Sequence, residues 1–405
     1  MMNKLTGWKI SLGLESCIIG SVYSFLPFLT FAKFGLNNIW VFLLVPLTML
    51  FFTPLWMRIK KKYSNHFVLK INSTFLMFFL TTIMIFNFFD NNDLVYGYAI
   101  NLWLIGMFLA GMVPFTMEII RSYGVSNKIK VNPPLLFSII GIIPIIIPFL
   151  CFYFLEHNIL NIVLICYFGC LGFGLWITIH SNQNIMTQEI TFATNNGNFK
   201  MIWKNKAFLA YLFPSSFTYG FNEFIGYLLP VLVFQQTIYW VIWIGVFYFL
   251  RKLSYLCGSL FAINKQKIYY ANIISSGLVV ISMGLLLGML IMQYYSNNSL
   301  ATALYLIIGI GVSQFLIGIS LAMISKSQKT NVTSLVGHDN MSLAMIIDHV
   351  FGRGIWSLIF SIIFLPIIIV NNASLMIFII LLSCFTIISI INLILVSNNK
   401  IVINP

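Results

Sequence analysis

The stretch FLPFLTFAKFGLNNIWVFLLVPLTMLFFTPLWMRIKKKYSNHFVLK, residues 25–70, contains the pattern that decides the fold. An apolar run ends near residue 31, a gap with one cation follows, and a second apolar run covers residues 39–57. The next gap holds a cluster of Lys and Arg residues between residues 58 and 70. Apolar runs of this length can cross a hydrocarbon core about 30 Å thick. The stretch therefore predicts two membrane-spanning helices, joined by a cation-poor turn and followed by a cation-rich one.

The same alternation continues along the whole chain. Except for Lys33, Arg251, Lys252 and Arg353, all Lys and Arg residues lie near the two chain ends or near every second gap. Since positive flanks stay on the cytoplasmic side, both termini are predicted to be cytoplasmic. The predicted spans are Trp8–Phe31, Ile39–Met57, Val68–Phe89, Leu94–Met117, Leu135–Leu155, Ile159–Ile179, Ala207–Phe234, Ile238–Ala262, Ile268–Met292, Leu300–Ile324, Leu343–Val370 and Leu375–Val396.

Composition excludes several classes of protein. The chain is 60% hydrophobic and 8% charged, whereas about 25% of the residues in a soluble domain are charged. The net charge of +13 lies beside membrane spans, where topology and anionic headgroups explain it, so we expect no nucleic-acid partner. The cysteines and histidines lack metal-site spacing, and we find no nucleophile elbow and no phosphate-binding loop. We expect neither enzyme activity nor a metal or other cofactor.

Internal similarity predicts a duplicated architecture. The sequence FLPFL at residues 25–29 is echoed by LLPVL at residues 228–232, and Met57 corresponds to Gly258 at nearly the same offset. A polar stretch between these halves is predicted to be a cytoplasmic linker. We therefore predict an all-α polytopic membrane protein with twelve transmembrane helices in two pseudo-symmetric six-helix halves. The predicted divisions are residues 1–180, the linker 181–206, and residues 207–405.

The sequence resembles the major facilitator superfamily over nearly its whole length. The motifs that are similar are FLPFLTFAKFGLNN, PLWMRIKKKYSNHFVL and LIGMFLAGMVPF. In the second motif, Met57 and Ser64 align with the two glycines of the family loop that follows helix two. Ile59 aligns with its Leu, and Lys62 with its Arg. The resemblance implies a transporter fold. Lys61 stands where the family has an Asp. In the family this Asp is implicated in a charge relay that stabilises the outward-facing state, so the resemblance does not imply such a relay in this chain.

Ionisable residues inside the spans indicate where function lies, because an ionised side chain near the bilayer centre costs at least ~2.5–3.5 kcal/mol. In span seven, Tyr219, Asn222 and Glu223 share one helical face with Ser215. We predict that Glu223 carries a coupling proton and that Tyr219 and Asn222 bind substrate. The alternative is that Glu223 only hydrogen-bonds a neighbouring helix. Glu15 in span one is a second proton-coupling candidate, with a structural or gating role as its alternative.

Spans eight and eleven hold the cations of the predicted site. Arg251 either faces a central path or snorkels to the headgroups. Arg353 and Trp356 lie on one helical face with His349, and Asp348 lies beside them. A guanidinium can bind a carboxylate or phosphate through two parallel bonds, and an aromatic ring can stack on a ligand. We predict that Arg353, Arg251 and Trp356 bind substrate, and that Asp348 and His349 are further proton carriers. The alternative is an internal ion pair between Arg353 and an acid.

Three functions agree with these residues. The first is a proton-coupled secondary transporter of a small anionic or zwitterionic organic solute, working by alternating access. The second is an exporter of amphipathic compounds such as drugs or siderophores, with a large aromatic cavity dominated by Glu15. The third is a transporter-fold membrane protein without solute flux. We expect a monomer in a bacterial cytoplasmic membrane, with a small-molecule substrate, protons and the lipid bilayer as its partners.

Overall fold

The structure is a computed structural model, and the chain forms two compact units, Met1–Gly197 and Asn198–Pro405. The described residues are helical almost throughout and contain no β-strand. The structure describes residues 4–86, 94–126, 133–182, 199–206, 208–209, 212, 215–221, 224–225, 240–260, 268–295, 300–336, 343–344, 347–348, 350–371 and 374–398.

The first unit contains helices α1 to α6, which correspond to the first six predicted spans. Gly35 adopts a φ of 74° directly after α1, a backbone conformation that glycine tolerates without a Cβ clash. A 3₁₀ helix, Leu36–Leu43, then leads into α2. The helices are α1 Lys4–Phe34, α2 Leu44–Tyr63, α3 Asn65–Ile85, α4 Val95–Ser126, α5 Pro133–Phe154 and α6 His157–Ser181.

The second unit begins with a short helix, α7, that precedes the seventh predicted span. Residues 215–221 of that span are helical. A π-helical segment, Val350–Trp356, comes directly before α11. The helices are α7 Phe199–Lys204, α8 Trp240–Leu260, α9 Ile268–Tyr295, α10 Leu300–Val336, α11 Ser357–Val370 and α12 Leu375–Asn398. Helices α8 to α12 therefore correspond to predicted spans eight to twelve.

Length and composition support membrane insertion. Among the described residues, eight helices are long and apolar enough to cross a membrane, and two shorter apolar helices accompany them. Many exposed side chains on these helices are large and apolar, for example Ile387, Ile391 and Leu395 on one side of α12. Such side chains are suited to contact with lipid and poorly suited to water. The prediction of an all-α polytopic membrane protein is confirmed.

Three helix pairs of the first unit have equivalents in the second. In the first unit α2 and α3 both pack on α4, and α3 also packs on α6. In the second unit α8 and α9 both pack on α10, and α9 also packs on α12. These three pairs of the first unit thus recur six spans later, as a duplicated chain requires. The residue-level equivalence of Met57 and Gly258 stays a prediction.

Two pairs of serines join α9 to α10. The hydroxyl of Ser275 lies 2.8 Å from that of Ser320, and the hydroxyl of Ser282 lies 2.5 Å from that of Ser313. All four residues are buried, and Ser275 and Ser320 also donate to each other's backbone carbonyl oxygens. Small residues with hydroxyl groups let helices approach closely and satisfy polar atoms between them. These contacts fix the register of α9 against α10.

The turn between α2 and α3 consists of one residue, Ser64. Its φ of 124° and ψ of 161° lie in a region that glycine adopts and other residues rarely do. The Ser64 amide donates to the carbonyl oxygen of Lys60, and its hydroxyl accepts from the amide of Phe67 at 3.3 Å. Ser64 is the residue that aligns with the second glycine of the loop that the sequence resembles. Ser64 therefore adopts a backbone conformation typical of glycine, although its residue is serine.

We expect the Ser64→Gly variant to be more stable than the wild type by about 1 kcal/mol. A backbone in this region costs a non-glycine residue about 1–3 kcal/mol, whereas glycine at a helix N-cap costs only a few tenths. Thermal unfolding of the detergent-solubilised protein measures the difference. Ser64→Ala is the matched control, because it removes the capping hydroxyl but keeps the Cβ, and it should lower stability. A Ser64→Gly variant no more stable than Ser64→Ala would contradict the strain argument.

Candidate functional site

Glu15 lies in the interior of the first unit. It is fully buried in α1, and the hydroxyl of Thr116 in α4 donates to its Oε1 at 2.5 Å. Its other oxygen, Oε2, has no hydrogen-bond partner among the described residues. One turn earlier, Ser11 donates to the hydroxyl of Thr178 in α6 at 3.1 Å. The carboxyl group is therefore held away from lipid by helices on two sides of α1.

No described Lys or Arg forms a salt bridge with Glu15. Taking a carboxylate out of water costs several kcal/mol unless a cation or several hydrogen bonds compensate it. Glu15 has one hydroxyl partner in the described part of the chain. Such a carboxyl group is suited to holding a proton on its second oxygen, which is the chemistry that a proton-coupling residue needs.

Glu118 forms a salt bridge with a residue of another helix. On helical spacing alone, Arg121, three residues later in α4, could pair with it. The structure pairs Glu118 with Lys60 of α2. The Lys60 ammonium also lies 5.2 Å from the centre of the Phe115 ring. The side chain of Arg121 lies outside the part that the structure describes. The pair joins α2 to α4 at the end that is predicted to be cytoplasmic.

Asp348 connects the seventh and eleventh spans in the second unit. Its Oδ1 lies 3.4 Å from the hydroxyl of Ser215, which also lies 3.2 Å from the carbonyl oxygen of Leu212. The segment Val350–Trp356 begins two residues later as a π-helix, and π-helical turns are frequent at functional sites. Arg353 belongs to this segment, but its side chain lies outside the described residues. So do Asn222, Glu223 and His349.

Trp356 packs into an aromatic cluster of the second unit. Its ring lies edge-on to Phe217 at 5.2 Å and is stacked with Phe360 at 6.0 Å. Its Nε1 is buried and has no partner among the described residues. The cluster contains Phe217, Phe221, Phe224, Phe360, Phe364 and Phe385. Trp356 therefore keeps one hydrogen-bond donor that the rest of the described unit does not use. Tyr219 lies in the helical segment 215–221 and is partly buried.

Arg251 lies where α8 crosses α10. A Cβ atom added to Gly318 of α10 would overlap the carbonyl oxygen of Arg251 and the hydroxyl of Ser254. The two backbones therefore touch at this point. Arg251 is half-buried, and α8 continues to Leu260, about 13 Å further at 1.5 Å per residue. The helix does not end at Arg251, which favours a position inside the span over snorkelling at its end.

Two buried amide side chains were missing from the predicted site. Gln314 in α10 and Asn72 in α3 are fully buried, and neither amide group has a partner among the described residues. Gln314 lies between Gly311 and Gly318, the glycines that face α8. A buried polar group without a hydrogen-bond partner is costly, so each of these two positions is a candidate for a functional role. The signal for Gln314 was present in the sequence, since it is the one amide residue of the run Leu300–Ile324.

The chain shares its fold with solved membrane transporters, as its resemblance to the major facilitator superfamily implied. The structure is similar to that of the nucleoside transporter NupG, with a TM-score of 0.68, 13% identity and coverage of 98% of this chain and 99% of that chain. It is similar to a D-xylose–proton symporter, with a TM-score of 0.68, 8% identity and coverage of 99% and 98%. It is also similar to a bacterial homologue of the iron transporter ferroportin in an outward-facing state. The TM-score is 0.65, the identity is 11%, and the match covers 99% of this chain and 100% of that chain.

These three structures are membrane transporters, and none of them is an enzyme. No protein-family model and no curated protein sequence match the chain. At these identities the likeness concerns the fold, and one fold serves many substrates.

Proposed function

We propose that this chain is a secondary active transporter that moves a small anionic or zwitterionic organic solute across a bacterial cytoplasmic membrane. Transport proceeds by alternating access and is coupled to protons. The observation that supports proton-coupled transport is Glu15, a fully buried carboxyl group in a transporter fold, bonded across helices to Thr116. The choice of an anionic or zwitterionic solute rests on Arg353 within an apolar run. An acid kept inside a membrane protein at this cost marks a functional site by default.

Proton coupling is assigned first to Glu15, because its surroundings are suited to a group that gains and loses a proton. Asp348 has a similar arrangement in the second unit, with one hydroxyl partner from a neighbouring span. Glu223 and His349 stay candidates on the sequence pattern alone. A coupling residue must become accessible from both sides of the membrane in turn. A carboxyl group held by a single hydroxyl gives up only one hydrogen bond when it moves, which costs little.

Substrate binding is assigned to Arg353, with Arg251, Tyr219, Asn222 and Trp356 as further contacts. Arg353 lies in the π-helical segment Val350–Trp356. A guanidinium presents two parallel donors to a carboxylate or phosphate, which supports an anionic or zwitterionic solute. The Nε1 of Trp356, which has no partner among the described residues, adds a donor three residues later in the sequence. Nucleoside, sugar and iron transporters share the fold, so these residues and not the fold select the solute.

A thermal-shift screen tests the proposal. The purified chain is tested against organic anions, amino acids, nucleosides, sugars and siderophores at two pH values. A ligand at a hundredfold excess over its Kd stabilises the protein by about 2.7 kcal/mol. We expect an anionic or zwitterionic compound to raise the melting temperature, and proteoliposomes with a proton gradient to accumulate it. Stabilisation by amphipathic compounds alone would favour the exporter. Binding without flux in proteoliposomes would favour a transporter fold that does not transport.

A further inference from the structure

One face of α2 changes from apolar to cationic along its length. Phe51, Leu55, Arg58 and Lys62 follow i, i+4, i+7 and i+11, and all four are exposed. Phe51 is 63% exposed and Leu55 is 43% exposed, as expected of side chains that face lipid. The two cations follow within the last turns of the helix. This face therefore passes from the hydrocarbon region to the headgroup region of a membrane.

Helix α3 adds an aromatic pair at the same level. The one-residue turn at Ser64 brings Tyr63 and Phe67 together, with ring centres 4.8 Å apart and an interplanar angle of 28°. Both rings are exposed, Tyr63 by 51% and Phe67 by 41%. The same side of α3 continues with the exposed rings of Phe75 and Phe78. A tyrosine ring is typical of the boundary between hydrocarbon and headgroups.

The exposed cations of this region lack a counter-charge in the described part of the protein. Glu118 is paired with Lys60, which is the single salt bridge among the described residues. The ammonium of Lys62 lies 5.1 Å from the centre of the Tyr63 ring, and neither Lys62 nor Arg58 contacts a described carboxylate. The described part of the protein therefore offers these two cations no carboxylate, and an anionic headgroup beside this helix end can supply the negative charge.

We propose that this surface, formed by Phe51, Leu55, Arg58, Lys62, Tyr63 and Phe67, binds an anionic phospholipid. We call it the α2–α3 lipid surface. Arg58 and Lys62 hold the phosphate of a headgroup whose net charge is negative. Phe51 and Leu55 contact the acyl chains, and the stacked rings lie at the glycerol level. A soluble anion matches only the cations, whereas a lipid carries the charge and the apolar chains in one molecule. The inference does not depend on solute transport.

Lipid titration of the purified full-length chain in neutral detergent tests this proposal. Dioleoylphosphatidylglycerol is the anionic probe, dioleoylphosphatidylcholine the neutral probe, and glycerol 3-phosphate the soluble one, with the melting temperature as the readout. Each cation at a membrane surface contributes about fivefold in affinity, so R58Q/K62Q should bind phosphatidylglycerol about 25-fold more weakly. Its response to phosphatidylcholine should stay unchanged. Glycerol 3-phosphate should stabilise neither protein.

Two further variants serve as controls. K204Q/K206Q removes two exposed cations from the second unit and should keep the wild-type phosphatidylglycerol response. R58K/K62R keeps both charges on the α2–α3 lipid surface and should also show the wild-type response to phosphatidylglycerol. The proposal fails if both lipids stabilise the wild type equally, or if K204Q/K206Q loses as much affinity as R58Q/K62Q. A response to glycerol 3-phosphate equal to that of the lipid would also overturn it, since the site would then bind a soluble phosphate.

Discussion

The Glu15→Gln variant is expected to bind and exchange substrate but to lose all accumulation driven by a proton gradient. Gln has nearly the same shape as a neutral carboxyl group, and its Oε1 can still accept the bond from Thr116. A permanently neutral side chain cannot cycle a proton, so uptake should stop at equal concentrations on both sides. The measurement is uptake into proteoliposomes of the compound found in the thermal-shift screen, with and without an imposed pH gradient.

Glu156→Gln is the matched control for this experiment. It makes the same chemical change at an exposed acid between α5 and α6, and it should accumulate substrate like the wild type. Counterflow exchange by Glu15→Gln shows that the variant is folded and binds substrate. If Glu15→Gln still concentrates substrate at the wild-type rate, Glu15 does not carry the proton. The assignment then moves to Glu223, Asp348 or His349, each tested by its own neutral variant.

The Arg353→Lys variant is expected to bind the same compound about 10- to 100-fold more weakly. Lysine keeps the positive charge but offers a point charge in place of two parallel donors. The loss should appear in the Kd and in the apparent KM for uptake. The gradient dependence of whatever transport remains should not change, because Arg353 is assigned to the substrate and not to the proton.

Arg58→Lys provides the comparison for Arg353→Lys. It makes the same substitution at an exposed position of α2 and should leave substrate affinity at the wild-type value. Unchanged affinity in Arg353→Lys would assign Arg353 to an internal ion pair, the alternative that the sequence left open. In that case the variant should show a lower melting temperature without substrate and normal binding with it.

Hydrophobic runs located the helices well but not their ends. The run that predicts the tenth span stops at Ile324, whereas α10 continues to Val336. Helix α4 likewise passes Met117 and ends at Ser126. An apolar run measures the thickness of the hydrocarbon core, and a helix can continue into the headgroup region on its backbone hydrogen bonds. The second span begins with a 3₁₀ helix at Leu36–Leu43, which hydrophobicity alone cannot distinguish from an α-helix.

The sequence selects candidate residues for the site but not the contacts that these residues make. Glu15 stands out in its apolar run, yet its partner Thr116 lies 101 residues away and no local pattern selects it. Helical spacing offers Glu118 a partner on its own helix, Arg121, and cannot show that Glu118 also forms a salt bridge with Lys60 of another helix. The shared face of His349, Arg353 and Trp356 assumed regular α-helical periodicity. The segment Val350–Trp356 is π-helical and follows a different hydrogen-bond pattern, and the alignment of these three side chains stays a prediction.

The serine pairs between α9 and α10 restrict how the second unit can change shape. Ser275 and Ser282 are seven residues apart on α9, and so are Ser313 and Ser320 on α10. Sliding one helix by a single turn would separate both pairs at once and leave four hydroxyl groups facing apolar side chains, a costly arrangement in a membrane. The serine pairs therefore oppose sliding of α9 along α10, so the two helices move together. Any opening of the second unit has to come from bending or rotation elsewhere in it.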